Sequence, residues 1–192
     1  EELEAINNPE DESKGKRKIP FSRELYIEKD DFRETAEKNF FRLTPSQEVR
    51  LQYAYYVTCT GFKKDDNGNI IEIYCEYDPE SRGGWTNDGR KVKGTIHWVS
   101  AKDAINVELR LYEHLFLKEN PEDVEEGEDF TKNINPNSLT IKLGKAEPFL
   151  KDSPDTHFQF LRIGYFRKDE DSNNETLVFN KTVGLKDSYK KR

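Results

Sequence analysis

Alternating apolar and polar residues mark one long hairpin in the first half of the chain. Between Glu48 and Gly61, apolar side chains recur at every second position, the spacing that places them on one face of a β-strand. The Asn67-Gly68 pair that follows is favoured in tight hairpin turns, and a second apolar run extends from Ile70 to Tyr77. The pattern therefore predicts two long antiparallel strands joined by a turn at 65–69.

Shorter segments of the same kind predict further strands on both sides of this hairpin. They cover residues 1–6, 23–28, 91–99, 139–143, 156–166 and 177–185, and residues 106–116 are expected to form either a strand or a turn and a strand. A polar loop is expected at 7–18, and one short helix from Phe32 to Asn39, capped by Asp30 or Asp31. Short strands, frequent turns and little helix predict an all-β chain of the sandwich or barrel type, and 192 residues suffice for two consecutive barrels.

Composition and charge refine this picture. Hydrophobic residues make up only 33% of the chain and charged residues 36%, so much of the burial must come from the 12 Phe, 9 Tyr and 2 Trp. A net charge of −7 argues against a general nucleic-acid binder, yet seven of the acids lie between Glu119 and Asp129, and without them the charge is −7 + 7 = 0. Basic clusters stand at 14–18 and 190–192. We expect the acidic loop to repel phosphate everywhere except at the binding site. The alternative is that the loop is merely solvated and the two basic ends are frayed.

The chemistry of a catalytic centre is missing from the sequence. It has no glycine-rich phosphate loop, no nucleophile elbow and no zinc-type spacing, and its three histidines, His97, His114 and His157, are isolated. We therefore expect a chain that binds rather than reacts, with no catalytic or metal-ligating residue. Cys59 and Cys75 flank the predicted hairpin turn and are expected to be reduced thiols. They lie across from each other if the loop has three residues and point to opposite faces if it has two. The chain has no methionine and is expected to be a piece of a longer protein.

A run from Gly89 to Ser100, GRKVKGTIHWVS, places basic residues at the start of a β-branched and aromatic strand, an arrangement suited to a phosphate contact. This run resembles the anticodon-binding region of glutaminyl-tRNA synthetase, a class I synthetase. Further segments match the pattern of that family in the same order: Ile19–Ile27, Asp31–Glu34, Glu48–Leu51, Val107–Tyr112, Ile134–Pro136, Ala146–Pro148, Phe158–Phe160, Gly164–Phe166 and Phe179–Asp187.

The resemblance implies two six-stranded β-barrels with few short helices. It assigns residues 1–20 and about 101–192 to a proximal barrel whose first strand is missing, and about 21–100 to a distal barrel. It also implies that the catalytic domain lies N-terminal to this region, where the parent enzyme uses ATP and magnesium to join glutamine to its tRNA. This chain would then be inactive alone and hold no cofactor. Its expected partners are glutamine tRNA isoacceptors and its own catalytic domain. The protein is expected to be a cytoplasmic monomer that does not bind a membrane.

Three residues are expected to read the anticodon, because the family unstacks its bases into separate pockets where side chains bind their edges. By motif, Arg42 matches an arginine that reads the third base, Arg50 one that reads the first, and Gln159 a glutamine that reads the central uracil. A carboxamide suits uracil because it both donates and accepts. The alternative is that Arg42 and Arg50 pair with surface acids such as Glu48, and that Gln159 is the outward residue of an ordinary strand.

Three more residues belong to the expected site by the same resemblance. Asn39 lies where the family often has a glutamine beside the central base, and Gln52 stands where an arginine is frequent. Phe41 replaces a basic residue and is expected to stack on a base. Two other functions remain open: the archaeal or eukaryotic type of glutamyl-tRNA synthetase, which shares the barrels, and a non-catalytic protein-interaction or structural-rRNA module.

Overall fold

The structure is a computed structural model that describes residues 1–35 and 37–185. The all-β prediction is confirmed. The strands are β1 Glu2–Ile6, β2 Lys16–Pro20, β3 Leu25–Ile27, β4 Glu48–Leu51, β5 Tyr56–Lys64, β6 Ile70–Asp78, β7 Thr95–Ile96, β8 Trp98–Ser100, β9 Ile105–Tyr112, β10 Leu139–Ala146, β11 His157–Phe160, β12 Gly164–Lys168 and β13 Leu177–Val183. Helical structure in the described residues consists of 3-10 turns at Glu12–Lys14, Lys29–Asp31, Pro79–Ser81, Phe130–Asn133 and Pro148–Lys151.

The chain divides into two units, residues 1–104 with 147–149 and residues 105–146 with 150–192. In the first, β1 pairs with β2, β3 pairs with β8, and four strands form a sheet in the order β6-β5-β4-β7. The second contains a five-stranded sheet in the order β10-β9-β13-β12-β11, in which β13 and β9 run parallel. The hydrogen-bonded strands thus form open sheets, and their closure into two six-stranded barrels stays a prediction.

Each unit has its own hydrophobic core. The first core brings Leu3, Ala5 and Ile19 of the opening hairpin together with Val49 and Trp98. Residues 1–20 therefore lie with the first unit in the structure, whereas the sequence grouped them with about 101–192. The naming of the units as distal and proximal barrels stays a prediction. The second core is built around Val107, Ala146, Leu150, Phe166, Leu177 and Phe179.

The predicted central hairpin exists, but its first strand is broken. β5 and β6 pair antiparallel around a turn in which Asp65 N donates to Asn69 O and Gly68 has a φ of 83°. The free thiols Cys59 and Cys75 lie opposite each other, as the longer-loop alternative required. The single strand predicted over 48–61 was wrong, because a turn at 52–55, with Tyr53 at a φ of 63°, separates β4 from β5.

Other local predictions also need correction. The helix predicted at 32–39 was wrong: a 3-10 turn ends at Asp31, and Phe32 instead forms a parallel bridge with Leu43. The loop predicted at 7–18 ends early, because β2 begins at Lys16. The segments 91–99 and 156–166 contain two short strands each rather than one. The basic tail at 190–192 and the end of the Phe179–Asp187 motif lie outside the described residues.

Candidate nucleic-acid interface

Arg42 is held by a buried carboxylate. Its Nη1 donates to Oδ1 of Asp31 at 2.5 Å, and Asp31 has no exposed surface. The backbone fixes this pair, since Leu43 N donates to Asp31 O and Arg33 N donates to Leu43 O. The Arg42 side chain remains about a third exposed (36%), and a guanidinium has five donors. Arg42 is thus oriented by one contact and keeps further donors for a ligand.

Arg50 lies among aromatic rings rather than acids. It belongs to β4, where its neighbours are Tyr56 on β5 and Thr95 on β7. The guanidinium carbon is 5.6 Å from the centroid of the Tyr56 ring and 5.3 Å from that of Trp85. Arg50 forms no ion pair with any described residue, and its Nε is buried without a hydrogen-bond partner. The charge of Arg50 is therefore not neutralised by the protein around it.

The acid that the sequence offered as a partner for these arginines binds a different one. Glu48 accepts two hydrogen bonds from Arg90, at 3.1 Å and 3.0 Å, and Arg90 also binds Asp78 and Asp88. The hydrogen bond to Asp78, followed by those to Asp88 and Glu48, raises the pKa of the Arg90 guanidinium. Three carboxylates around one guanidinium neutralise the charge of Arg90. The phosphate contact expected of the basic residues in this run stays a prediction.

Gly94 joins Phe41 and Arg50 at one place. Arg50 N donates to Gly94 O at 2.8 Å, and a Cβ on Gly94 would lie 2.1 Å from the carbonyl oxygen of Phe41. Only glycine allows this approach. The Phe41 ring is half-exposed, and Lys93 Nζ lies 5.3 Å from its centroid. Phe41, Lys93 and Arg50 therefore meet around one glycine, and in the described chain neither Lys93 nor Lys91 is engaged in an ion pair.

The two remaining predicted residues of the first unit have different surroundings. Asn39 is exposed in a left-handed turn with a φ of 69°. Gln52 lies in the turn after β4, where its N donates to Ile96 O and its O accepts from Trp98 Nε1 at 3.0 Å. These two hydrogen bonds fix the backbone of Gln52. They do not use the amide group of its side chain, which is half-buried.

Gln159 belongs to the second unit. It lies on β11 opposite Tyr165 of β12, and its side chain is exposed. Phe158 and Phe160 pack into the core, where the Phe160 ring stacks on Phe166 with centroids 4.6 Å apart. The predicted alternation, with the phenylalanines inward and Gln159 outward, is confirmed.

The basic cluster at 14–18 is largely neutralised. Lys16 pairs with Glu4 and Lys18 with Glu2. Arg17 binds Glu147 through Nε at 2.5 Å and Nη2 at 2.8 Å. Burial on its own would raise the pKa of Glu147, but the hydrogen bonds and charges of Arg17 and His97 lower it to about 2. The Arg17–Glu147 pair therefore stabilises the first unit, and the ion pairs of Lys16 and Lys18 leave the cluster with little free charge.

The acidic loop at 119–129 is ordered by its surroundings. Asn133 donates to the carbonyl oxygens of Pro121 and Asp123, Lys118 pairs with Asp123, and Lys132 pairs with Glu128. The other glutamates of the loop form no ion pair with a described residue. The loop is thus a folded segment that carries uncompensated negative charge.

Sequence reasoning missed two residues that contact the predicted arginines. Asp31 was expected to cap a helix. Its contact with Arg42 instead follows from the bridge between Phe32 and Leu43, which no local sequence pattern predicts. Trp85 was not singled out, although the preceding Gly83-Gly84 pair signals an unusual backbone. Residues 1–35 and 37–185 contain no group of His, Cys, Asp or Glu side chains arranged to hold a metal ion, and no helix among them is long and apolar enough to cross a membrane.

Comparison with known proteins gives matches over most of the chain. Two family models, both described as the anticodon-binding domain of class I (E and Q) tRNA synthetases, match residues 1–78 and 95–169. The chain is 52% identical over 192 residues to glutamine–tRNA ligase of Nitrobacter hamburgensis, 53% over 193 to that of Clostridioides difficile and 48% over 193 to that of Vibrio cholerae. These matches cover 100%, 99% and 100% of the chain but 34% of each relative, so the chain spans about a third of the relatives' length.

Proposed function

Because the chain belongs to the anticodon-binding domain family of class I (E and Q) tRNA synthetases, we propose that it recognises the anticodon of glutamine tRNA. The observation that carries this proposal is Arg50, whose guanidinium carbon is 5.6 Å from the Tyr56 centroid and 5.3 Å from the Trp85 centroid and which forms no ion pair with a described residue. Its Nε is buried and its Nη2 donates to Tyr56 Oη at 3.5 Å, whereas Nη1 forms no hydrogen bond with a described residue. The outer end of this planar group therefore keeps donors for the edge of a base.

We assign the roles in recognition by the match to the family. Arg50 reads the first anticodon base, Arg42 the third and Gln159 the central uracil. The family match assigns Asn39 to that same central base. Phe41 stacks on a base and Gln52 contributes polar atoms in place of a charge. The pair with Asp31 supports the assignment of Arg42, because it orients a side chain that is about a third exposed. The outward side chain of Gln159 supports its own assignment.

The chain contributes tRNA recognition to a larger enzyme in this proposal. Its relatives are named glutamine–tRNA ligase and extend well beyond the matched region. We assign the joining of glutamine to tRNA, with its ATP and magnesium, to a catalytic domain N-terminal to these residues. A cytoplasmic location and a monomeric state follow from this proposal and stay predictions.

The proposal is tested by titrating the chain with a transcript of glutamine tRNA and with transcripts in which each anticodon base is replaced in turn. We expect every replacement to weaken binding, by about 1–3 kcal/mol where a bidentate base contact is lost, on the scale known for DNA. Equal affinity for all transcripts would refute anticodon reading and favour an interaction module. Tighter binding of glutamate tRNA would favour the glutamyl type.

A further inference from the structure

Trp85 has one of the most exposed large side chains of the first unit. Its relative exposure is 74%, whereas the second tryptophan, Trp98, is buried at 4%. Trp85 lies in the segment between β6 and β7 and follows Gly83 and Gly84. An indole offers a large apolar face that gains free energy on leaving water. The exposed ring beside Arg50 therefore offers a face on which a ligand can pack.

The backbone of the loop holds the Trp85 ring close to Arg50. Gly83 and Gly84 have φ angles of 83° and 84°, a conformation that favours glycine. A Cβ on Gly84 would lie 3.0 Å from Arg50 Cδ, so the loop rests directly on the aliphatic part of that side chain. The Trp85 centroid is consequently 5.3 Å from the guanidinium carbon. Two glycines thus present an exposed ring next to an arginine without an acidic partner.

We propose that Trp85 is a stacking platform for an unpaired nucleobase that neighbours the base read by Arg50. This inference rests on the proposed function and adds a residue to it. The indole contacts Arg50 at one side and exposes most of its surface to solvent, where the face of a base can lie. The guanidinium stays available for the edge of a base. Edge recognition and face stacking are thereby supplied by two adjacent side chains.

Stacking has a signature that separates it from a merely supporting role. Every base has a π-face, so a stacking residue adds affinity without choosing among bases. If Trp85 only covered Arg50, its loss would act through Arg50 and would reduce discrimination at the first anticodon base. The two roles therefore differ in what a Trp85 variant does to binding of a transcript with a replaced first base.

The experiment compares wild type, Trp85→Leu and Trp85→Phe in titrations with glutamine tRNA and with a transcript that carries a different first anticodon base. Leucine keeps an apolar cover on Arg50 but cannot stack, and phenylalanine retains a ring. We expect Trp85→Leu to weaken binding by about 5- to 150-fold, equally for both transcripts, and Trp85→Phe to lose less. The matched control is Tyr74→Leu, because Tyr74 is an exposed ring of the same unit whose hydroxyl binds Glu72.

Fluorescence provides a second readout. In wild type, a base stacked on Trp85 should quench its emission as tRNA is added. The buried Trp98, which donates to Gln52 O, is the only indole left in Trp85→Phe, and its emission should stay constant. Agreement of quenching and affinity would support direct contact.

Three results would overturn the inference. Wild-type affinity in Trp85→Leu with no quenching in wild type would exclude contact with the base. A loss confined to first-base discrimination would make Trp85 a positioning residue for Arg50. Equal binding of all transcripts by wild type is a distinct result, because it refutes the proposed function and removes the role of Trp85 with it.

Discussion

Asp31 Oδ1 accepts a hydrogen bond from Arg42 Nη1 at 2.5 Å, and only the carboxylate of this pair is fully buried. The bridge between Phe32 and Leu43 brings the two segments together, so the pair is set by the backbone on both sides. A buried acid that restrains a partly exposed arginine sets the direction of the guanidinium before any ligand binds. Such restraint lowers the entropy cost of binding.

Replacing Asp31 should therefore affect recognition as well as stability. We expect Asp31→Asn to lower the free energy of unfolding by about 1–3 kcal/mol, because a hydrogen bond to a charged group is weakened. Discrimination at the third anticodon base should fall toward that of Arg42→Ala. The readouts are urea unfolding and titration with third-base variants of glutamine tRNA. The matched control is Asp30→Asn at an exposed neighbour, and full third-base discrimination in Asp31→Asn would contradict the positioning role.

Gly94 should be intolerant of any side chain. A Cβ there would lie 2.1 Å from the carbonyl oxygen of Phe41, which is backbone and cannot swing away. We expect Gly94→Ala to cost about 1–3 kcal/mol or more in urea unfolding and to weaken tRNA binding, since Arg50 N is bonded to Gly94 O. Gly61→Ala is the control, because its Cβ would make an ordinary 3.6 Å contact with Tyr74. Equal stability of the two variants would refute this packing argument.

Patterns along the chain predicted the parts of the fold that local chemistry controls. The Asn67-Gly68 turn is one, and the alternation of Phe158, Gln159 and Phe160 is another, because both depend on neighbours in sequence. The helix at 32–39 failed because the bridge from Phe32 to Leu43 overrides local helix signals. Alternation over 48–61 could not reveal the turn at 52–55, since a left-handed Tyr53 leaves the apolar spacing unchanged.

The sequence predicted the arginines of the candidate site but not the residues that contact them. Arg42 and Arg50 were found by motif. Asp31 and Trp85 contact them only because the fold brings distant segments together, which the spacing of residues in the sequence does not reveal. The acid expected for these arginines, Glu48, binds Arg90 instead. Likewise, Arg17 and Glu147 are 130 positions apart, so their pair could not be anticipated from the basic cluster alone.

Glu147 should give the first unit an acid-sensitive stability. Its ordinary pKa is 4.5 and its pKa in the folded chain is about 2, so the pair with Arg17 stabilises the protein above pH 4.5. This contribution, on the order of 3 kcal/mol, is lost as the pH falls from 4.5 through the folded pKa. We expect Glu147→Gln to be less stable than wild type at neutral pH and the difference to vanish near pH 2.

Urea unfolding of wild type and Glu147→Gln across that pH range provides the measurement. Glu2→Gln serves as the control, because Glu2 pairs with Lys18 at the exposed surface, where ion pairs contribute little. A stability difference that does not depend on pH between 4.5 and 2 would contradict the assignment to the Glu147 carboxylate.

The acidic loop should reduce indiscriminate RNA binding. Deleting it would also remove contacts to Asn133, so charge neutralisation is the cleaner change. We expect simultaneous replacement by glutamine at the four unpaired glutamates to raise affinity for RNA of unrelated sequence at low salt. The four positions are Glu119, Glu122, Glu125 and Glu126. The gain should disappear at about 1 M salt, where the screening length is about 3 Å.

Filter binding with an unrelated hairpin RNA measures this effect, and affinity for glutamine tRNA provides the comparison. Unfolding curves should match those of wild type, since these four side chains form no ion pair with a described residue. Unchanged affinity for unrelated RNA at low salt would mean that the loop is solvated and plays no part in selection.

The claim on which the account depends is that Arg50 contacts the first anticodon base directly. A double-mutant cycle measures this contact, with Arg50→Ala as one change and a replaced first base in the tRNA as the other. We predict a coupling free energy of about 1–3 kcal/mol, with no coupling for Arg82→Ala, an arginine of the same unit whose side chain pairs with Glu1 at the surface. Strictly additive losses for Arg50→Ala and the replaced base would contradict the account.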